Sequence, residues 1–215
     1  MTKEMMLRFA RPLLLTALRK ADMVQVKDKV LTCEDDIPAA VERCWHDALS
    51  DLDVEVWGIA AGELLQDVNL LGTSVQGNVL RFVTEEGFRG DIICHDGAAE
   101  MECADSFWFV AVQALGKLLR RDYLISAHLS HMLLMETLVT QMMQRDQMYQ
   151  TNYHRYGYAE TLAYRQVDVT PYADLMTGDE TYACIAEQLI RAALCREGSE
   201  KFFAIWRKYL AELQK

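Results

Sequence analysis

Hydrophobic and polar residues alternate over short runs in the first half of the chain. Glycines punctuate these runs between about residues 23 and 96, a texture typical of strands joined by turns. Glu86-Gly87 lies between two of the runs and predicts a hairpin with Gly87 at a positive φ. The predicted strands are residues 23–26, 30–33, 53–57, 79–84 and 91–94.

After residue 103 the apolar residues recur three and four positions apart, which predicts helices. Asp105 or Ser106 is the expected N-cap of the first of them, and Thr170-Pro171 begins a short helix. Residues 4–20 and 60–71 in the first half also fit helices. A methionine-rich stretch in the second long helix has the spacing of core positions. The later helices are expected at residues 122–149, 179–196 and 199–213, and the methionines are Met132, Met135, Met142, Met143 and Met148.

These elements predict an α+β fold, in which a small mixed sheet with flanking helices is followed by a C-terminal helical bundle. The change in texture near residues 97–104 gives two domains, residues 1–103 and 104–215. No proline- or serine-rich linker separates them, so we expect the two halves to pack together.

The net charge of -10 argues against a nucleic-acid partner, because affinity for the phosphate backbone comes from Lys and Arg. No apolar run reaches the ~20 residues that a membrane-spanning helix needs. The six cysteines show no metal-ligand spacing, and the N-terminus does not resemble a signal peptide. A cytoplasmic protein without a membrane partner is therefore expected.

A row of acidic residues occupies one predicted strand, Ser50-Asp51-Leu52-Asp53-Val54-Glu55-Val56. Because side chains alternate along a strand, Leu52, Val54 and Val56 should face the core. Asp51, Asp53 and Glu55 should then share the opposite face. Crowded carboxylates repel one another unless a cation lies between them, and Mg²⁺ prefers such oxygen ligands.

A second acidic position follows in Arg89-Gly90-Asp91-Ile92-Ile93-Cys94. If this strand neighbours residues 52–57, Asp91 completes a three-carboxylate site that could hold one or two metal ions and activate a hydroxyl. The alternative is an ordinary polar strand face, because short acidic motifs also arise by chance. His95-Asp96 comes directly after this strand and could approach the same site or lie in a loop.

These motifs resemble the nucleotidyltransferase superfamily. In that family a Gly-Ser turn and a short spacer precede an Asp-x-Asp or Asp-x-Glu strand, and a third carboxylate follows on a later strand. The helical half is similar to the C-terminal domains of small aminoglycoside and lincosamide nucleotidyltransferases. The similar positions there are Phe107-Trp108, on a tryptophan-bearing helix, and the turn Arg120-Arg121-Asp122-Tyr123-Leu124.

The resemblance implies that Asp51 and Asp53 bind Mg²⁺ and the phosphates of a nucleoside triphosphate (NTP). Asp91 would be the third metal ligand, or the base that takes the proton of the acceptor hydroxyl. The reaction would transfer a nucleoside monophosphate to a hydroxyl of a small, antibiotic-like acceptor and release pyrophosphate. A homodimer could form through an apolar face of the first helix.

The family pattern is altered at its phosphate-binding turn, where Ala39-Ala40 stands in place of Gly-Ser. The nucleotide-binding positions implied by the resemblance are therefore Ala39, Ala40 and Ser50. Asp36 and Pro38 instead predict a helix N-terminus at this point. Three interpretations stay open: an enzyme with a variant turn, a catalytically inactive protein of the same fold that binds a nucleotide, ligand or protein partner, and an unrelated protein.

Overall fold

The computed structural model describes residues 17–32, 34–37, 39–40, 49, 51–96, 105–150 and 167–214. Six strands form one mixed sheet, and the remaining regular elements are helices. The protein is therefore of the mixed α+β class, as the sequence predicts. The strands are β1 (Met23–Val26), β2 (Lys29–Thr32), β3 (Leu52–Trp57), β4 (Leu70–Gln76), β5 (Val79–Thr84) and β6 (Arg89–Cys94).

The helices of the described residues lie mostly after the sheet. A short helix α1 connects β3 to β4, and a 3₁₀ helix at Thr170–Met176 begins at the predicted Thr-Pro pair. The second long helix begins at Tyr123 and ends at Tyr149, close to the predicted bounds. The α-helices are α1 (Ala61–Leu65), α2 (Ser106–Leu119), α3 (Tyr123–Tyr149), α4 (Glu180–Leu194) and α5 (Ser199–Leu213).

The sheet has the strand order β2-β1-β3-β6-β5-β4, which places the two acidic strands side by side at its centre. The β3 and β6 strands run parallel, whereas β1 pairs with β3 and β5 pairs with β6 in antiparallel fashion. The turn after β5 contains Gly87 at φ 87°, as predicted for the hairpin. A parallel central pair holds equivalent residues of both strands on the same face.

One strand was not predicted. The sequence expectation of a helix over residues 60–71 is correct only for Ala61–Leu65, and Leu70 begins β4. The strand contains Gly72, whose absent side chain allows a close approach. A Cβ atom there would lie 2.5 Å from the carbonyl oxygen of Asp105 and 2.9 Å from Cβ of Trp108. Packing therefore requires glycine at position 72, although a glycine weakens the sequence pattern expected of a strand.

The contacts divide the chain into two compact units, residues 1–109 with 207–215, and residues 110–206. In the first unit the buried face of the sheet packs against Leu18, Ile37 and the leucines of α1. In the second unit the core is helical, and Phe202 and Trp206 pack edge to face with ring centroids 5.7 Å apart. The predicted boundary between residues 103 and 104 lies outside the described residues.

Candidate functional site

The acidic strand β3 has one buried face and one open face. Leu52, Val54 and Val56 are almost fully buried, whereas Asp51 and Asp53 are exposed and Glu55 is partly so. This alternation is the one predicted, and it follows from the apolar residues filling the core below the sheet. The carboxylates are therefore held in a row by a strand whose other side is fixed in the core.

Asp91 lies on β6, next to this row. The register pairs Asp53 directly with Asp91 and Val54 with Ile92. Since in-register residues of parallel strands point to the same face, Asp53 and Asp91 are neighbours above the sheet. The expectation that the two acidic strands are adjacent is confirmed.

The packing at Gly90 explains how closely these two strands approach. A Cβ atom at this position would lie 2.4 Å from the carbonyl oxygen of Leu52 and 3.1 Å from the Phe82 ring. The residue before Asp91 must therefore be glycine for β6 to reach its observed distance from β3. The glycine in Arg89-Gly90-Asp91 thus sets the position of the carboxylate that follows it.

The electrostatic environment raises the proton affinity of both paired aspartates. The pKa of Asp53 is raised above its ordinary value first by the partial loss of hydration at the strand surface and then by the charge of Asp51, against an opposing effect of Arg89. Burial also raises the pKa of Asp91, although Arg81 acts in the opposite direction. The charges of Asp53 and Asp51 raise it further. The three carboxylates are therefore close enough to repel one another.

Two arginines accompany the carboxylates, and no role was predicted for either. Arg81 on β5 lies directly across from Asp91, and its Nε is 3.3 Å from an Asp91 carboxylate oxygen. Arg89 is almost fully buried, donates a hydrogen bond of 2.8 Å to the carbonyl of Leu49, and approaches Asp51 to 3.8 Å. Arg89 lies directly before the Gly-Asp of the motif, but only the strand register brings Arg81 to the site.

The carboxylate oxygens of Asp51, Asp53 and Asp91 are ligands of the kind that Mg²⁺ prefers, although these side chains do not by themselves enclose an ion. Among the described residues, no three His, Cys, Asp or Glu side chains converge in a metal-binding arrangement. Magnesium that carries a nucleotide usually needs one or two carboxylates and completes its shell with phosphate and water oxygens. Asp53 supplies one carboxylate, and Asp51 or Asp91 beside it supplies a second, so these residues fit a Mg²⁺ ion whose remaining ligands come from substrate and water.

The segment at the expected phosphate-binding turn forms a helix N-terminus, as its Asp and Pro predict. The Ala39 amide donates to the carboxylate of Asp36 at 3.3 Å, and the Ala40 amide donates to the Asp36 carbonyl at 3.0 Å. Ala40 is also buried. Both amides already have partners, so neither is free to bind a phosphate in this conformation. Ser50 lies outside the described residues, and so do residues 4–16 of the apolar first helix expected to support a dimer.

A second polar cluster joins Glu55, two residues beyond Asp53 on β3, to His95, which directly follows β6. Nε2 of His95 is 2.6 Å from a carboxylate oxygen of Glu55, and its ring stacks on Trp57 with centroids 4.2 Å apart. Asp96 accepts a hydrogen bond of 2.9 Å from the amide of Gly58. His95 is thus positioned by side chains on the strand that carries Asp51 and Asp53, rather than lying free in a loop.

Comparison with models of protein families, with curated protein sequences and with solved structures finds no significant match to this chain. In the part of the chain that the structure describes, no helix is both long and apolar enough to span a membrane.

Proposed function

We propose that the chain is a Mg²⁺-dependent nucleotidyltransferase of the nucleotidyltransferase fold. It would transfer a nucleoside monophosphate from an NTP to a hydroxyl group of a small, polar acceptor. The observation that carries this proposal is the direct register of Asp53 with Asp91 on adjacent parallel strands, with Asp51 two residues before Asp53. Oxygen ligands on a rigid sheet are the arrangement from which a metal-bound triphosphate can be held in one orientation.

In this proposal Asp51 and Asp53 would hold Mg²⁺ and, through it, the phosphates of the NTP, and Asp91 acts at the acceptor hydroxyl. Bound Mg²⁺ would neutralise the phosphate charge and polarise the phosphorus that is attacked. The acceptor oxygen forms a bond to the α-phosphorus, and the bond from that phosphorus to pyrophosphate breaks. The proton of the hydroxyl passes to the carboxylate of Asp91. The raised pKa of Asp91 makes this carboxylate a better proton acceptor than an ordinary surface aspartate.

Arg81 and Arg89 contribute positive charge where negative charge accumulates. Arg89 is held by its hydrogen bond to the Leu49 carbonyl, so its guanidinium stays beside Asp51. Arg81 is paired with Asp91, and more of its side chain is accessible than that of Arg89. Electrostatic preorganisation of this kind is generally the largest contribution to phosphoryl-transfer catalysis.

A second candidate is a catalytically inactive protein of the same fold that binds a nucleotide or another ligand. The observation that favours it is the helix N-terminus at Ala39 and Ala40, where both amides already donate to Asp36. Such a protein would keep the acidic face but lack a cradle for the triphosphate. The two candidates differ in whether bound nucleotide is consumed.

A thermal-shift panel of ATP, GTP, CTP and UTP, with and without Mg²⁺, tests nucleotide binding. A ligand at one hundred times its dissociation constant stabilises by about 2.7 kcal/mol, which is a shift of roughly 5–10 °C for a chain of this size. The shift should require Mg²⁺ and disappear in Asp51→Ala. Asp28→Ala removes the same charge from the exposed turn between β1 and β2 and should leave the shift intact.

Pyrophosphate release in the presence of aminoglycosides and lincosamides then separates the two candidates. Release that depends on both the NTP and an acceptor supports the enzyme. A Mg²⁺-dependent thermal shift without release supports the inactive protein. No thermal shift with any of the four nucleotides contradicts the enzyme and also an inactive protein that binds a nucleotide.

A further inference from the structure

Two aromatic side chains lie on the open face of the sheet beyond the acidic row. Trp57 follows Asp53 by four residues on β3, and His95 follows Asp91 by four residues at the end of β6. The parallel pairing of the two strands continues to this point, because the His95 amide donates to the Val56 carbonyl at 3.0 Å. Since alternate residues of a strand share a face, both rings stand on the same side of the sheet as the carboxylates.

The two rings form a stack that is held in place by its neighbours. Their centroids are 4.2 Å apart and their planes differ by only 6°. The hydrogen bond of 2.6 Å between Nε2 of His95 and Glu55 fixes the rotation of the imidazole about its own side chain. The backbone of Trp57 is paired with Met23 of β1 on its other side. The rings are therefore positioned before any ligand arrives, which lowers the entropic cost of binding to them.

The stack has room for a third ring on the side of His95 that faces away from Trp57. The His95 side chain is 35% accessible, and among the described residues no second aromatic ring packs against it. On this side the pairing of β5 with β6 continues to Asn78, whose carbonyl accepts from the Cys94 amide, and the next residue is Gly77. A Cβ atom at Gly77 would meet no atom within 4 Å. The space beside the imidazole is therefore bordered by a residue that has no side chain.

The distance from the aspartates indicates which part of a ligand would reach this space. Four residues along an extended strand span about 13 Å, so the rings lie about that far from Asp53 and Asp91. In an extended nucleoside triphosphate the base is the end farthest from the phosphates, at a separation of this order. Aromatic side chains bind planar bases by offset stacking. A triphosphate held through a metal ion at the aspartates would therefore bring its base, rather than its ribose, to the imidazole.

We propose that His95, backed by Trp57, is the platform on which the base of the bound NTP stacks. This inference rests on the proposed function, because the aspartates must hold the phosphates for the base to be placed here. Glu55 is a positioning residue in this arrangement, since it holds the imidazole and does not itself contact the base. Every base has a π face, so the platform would contribute affinity for the nucleoside part of any NTP without selecting one base.

Isothermal titration calorimetry in Mg²⁺ tests the platform by comparing ATP with ribose 5-triphosphate, which has the same phosphates and sugar but no base. The wild type should bind ATP roughly 5- to 150-fold more tightly. His95→Ala should remove most of this preference and leave the affinity for ribose 5-triphosphate unchanged. His95→Phe keeps a ring without the contact to Glu55 and should retain most of the affinity for ATP. His131→Ala removes an exposed histidine from α3 and should bind both ligands as the wild type does.

Equal affinities of the wild type for the two ligands would overturn the platform and leave the proposed function standing. That comparison needs no variant, so it does not depend on a substituted protein folding. A wild type that binds neither ligand in Mg²⁺ would contradict the proposed function and the platform together. A His95→Phe protein that binds ATP as weakly as His95→Ala would also reject stacking, because the lost contact would then belong to the polar edge of the imidazole.

Discussion

The substitution Asp53→Asn should stabilise the protein at neutral pH, while a structural role for this carboxylate predicts the reverse. The pKa of Asp53 is raised by burial and by the neighbouring charge of Asp51, so the folded state binds this proton more tightly than the unfolded state does. Folding stability is therefore lost as the pH rises from the ordinary aspartate pKa through the raised one. The penalty is fully present at pH 7, and asparagine removes it.

The size of the effect can be worked from the strand geometry. Alternate residues on a strand are about 6.6 Å apart, which gives about 0.6 kcal/mol between two charges in water and about 2.5 kcal/mol at an effective dielectric constant of 20. Asp53 is exposed, so solvent screening places the value near the lower figure. A gain of about 0.5–1 kcal/mol corresponds to a rise in Tm of roughly 1–4 °C for a chain of this length.

Urea denaturation at pH 4, 5.5 and 7, without metal or nucleotide, measures this gain. The difference between Asp53→Asn and the wild type should be largest at pH 7 and shrink towards pH 4. Asp28→Asn, in the exposed turn before β2, provides the matched change of charge and should give no comparable gain. A variant less stable than the wild type at pH 7 would refute the reasoning, because it would mean that the ionised carboxylate is held favourably by Arg89.

Four further substitutions test the packing and capping of the fold. Gly90→Ala should cost about 3 kcal/mol, since its Cβ would lie 2.4 Å from a backbone oxygen of β3. Gly77→Ala, which meets no atom within 4 Å but has φ 62°, should cost only about 1 kcal/mol in the same denaturation assay. Asp179→Ala removes the side-chain cap of α4 and should cost about 1 kcal/mol in thermal melts, with equal stability of the two proteins contradicting the cap. Tyr209→Phe, which removes the donor to the Gly87 carbonyl, should destabilise by about 1 kcal/mol. Because burial raises the pKa of Tyr209 to about 12, its ultraviolet absorption should not titrate below pH 10 while the protein stays folded.

Strands with one buried face could be predicted from the sequence, because burial imposes the alternation that the pattern shows. The strand β3 is the best example, with its three apolar residues inside and its acids outside. The strand β4 could not be predicted, because Gly72, which packing against Trp108 requires, and the polar residues after it interrupt the pattern of a strand. Arg81 was missed for a related reason. It reaches Asp91 only through the pairing of β5 with β6, which no local pattern encodes.

The spacing of apolar residues in a helix is ambiguous in a different way. The apolar repeat in α3 predicts the helix and its length correctly, but a repeat states only that one side is apolar, not which side faces the chain. Small residues such as Ser126 and Ser130 allow close approach of neighbouring helices, and here they form the buried side. The methionines were assigned to the core because large hydrophobic side chains usually face the interior of the protein. Met132, Met135, Met143 and Met148 are exposed instead.

The acidic row could be a structural ion cluster or a site for a further cation, and the arginines beside it distinguish these two explanations. In a purely structural ion cluster, the cations lower the pKa of the carboxylates below its ordinary value. Here Arg81 and Arg89 lie close enough to act in that direction, yet the net shift of Asp53 and Asp91 is upward, with burial the largest cause. Loss of hydration therefore outweighs the local cations, and both carboxylates bind a proton more readily than ordinary aspartates do. A cation bound between them would lower both pKa values again, and in our proposal Mg²⁺ is that cation.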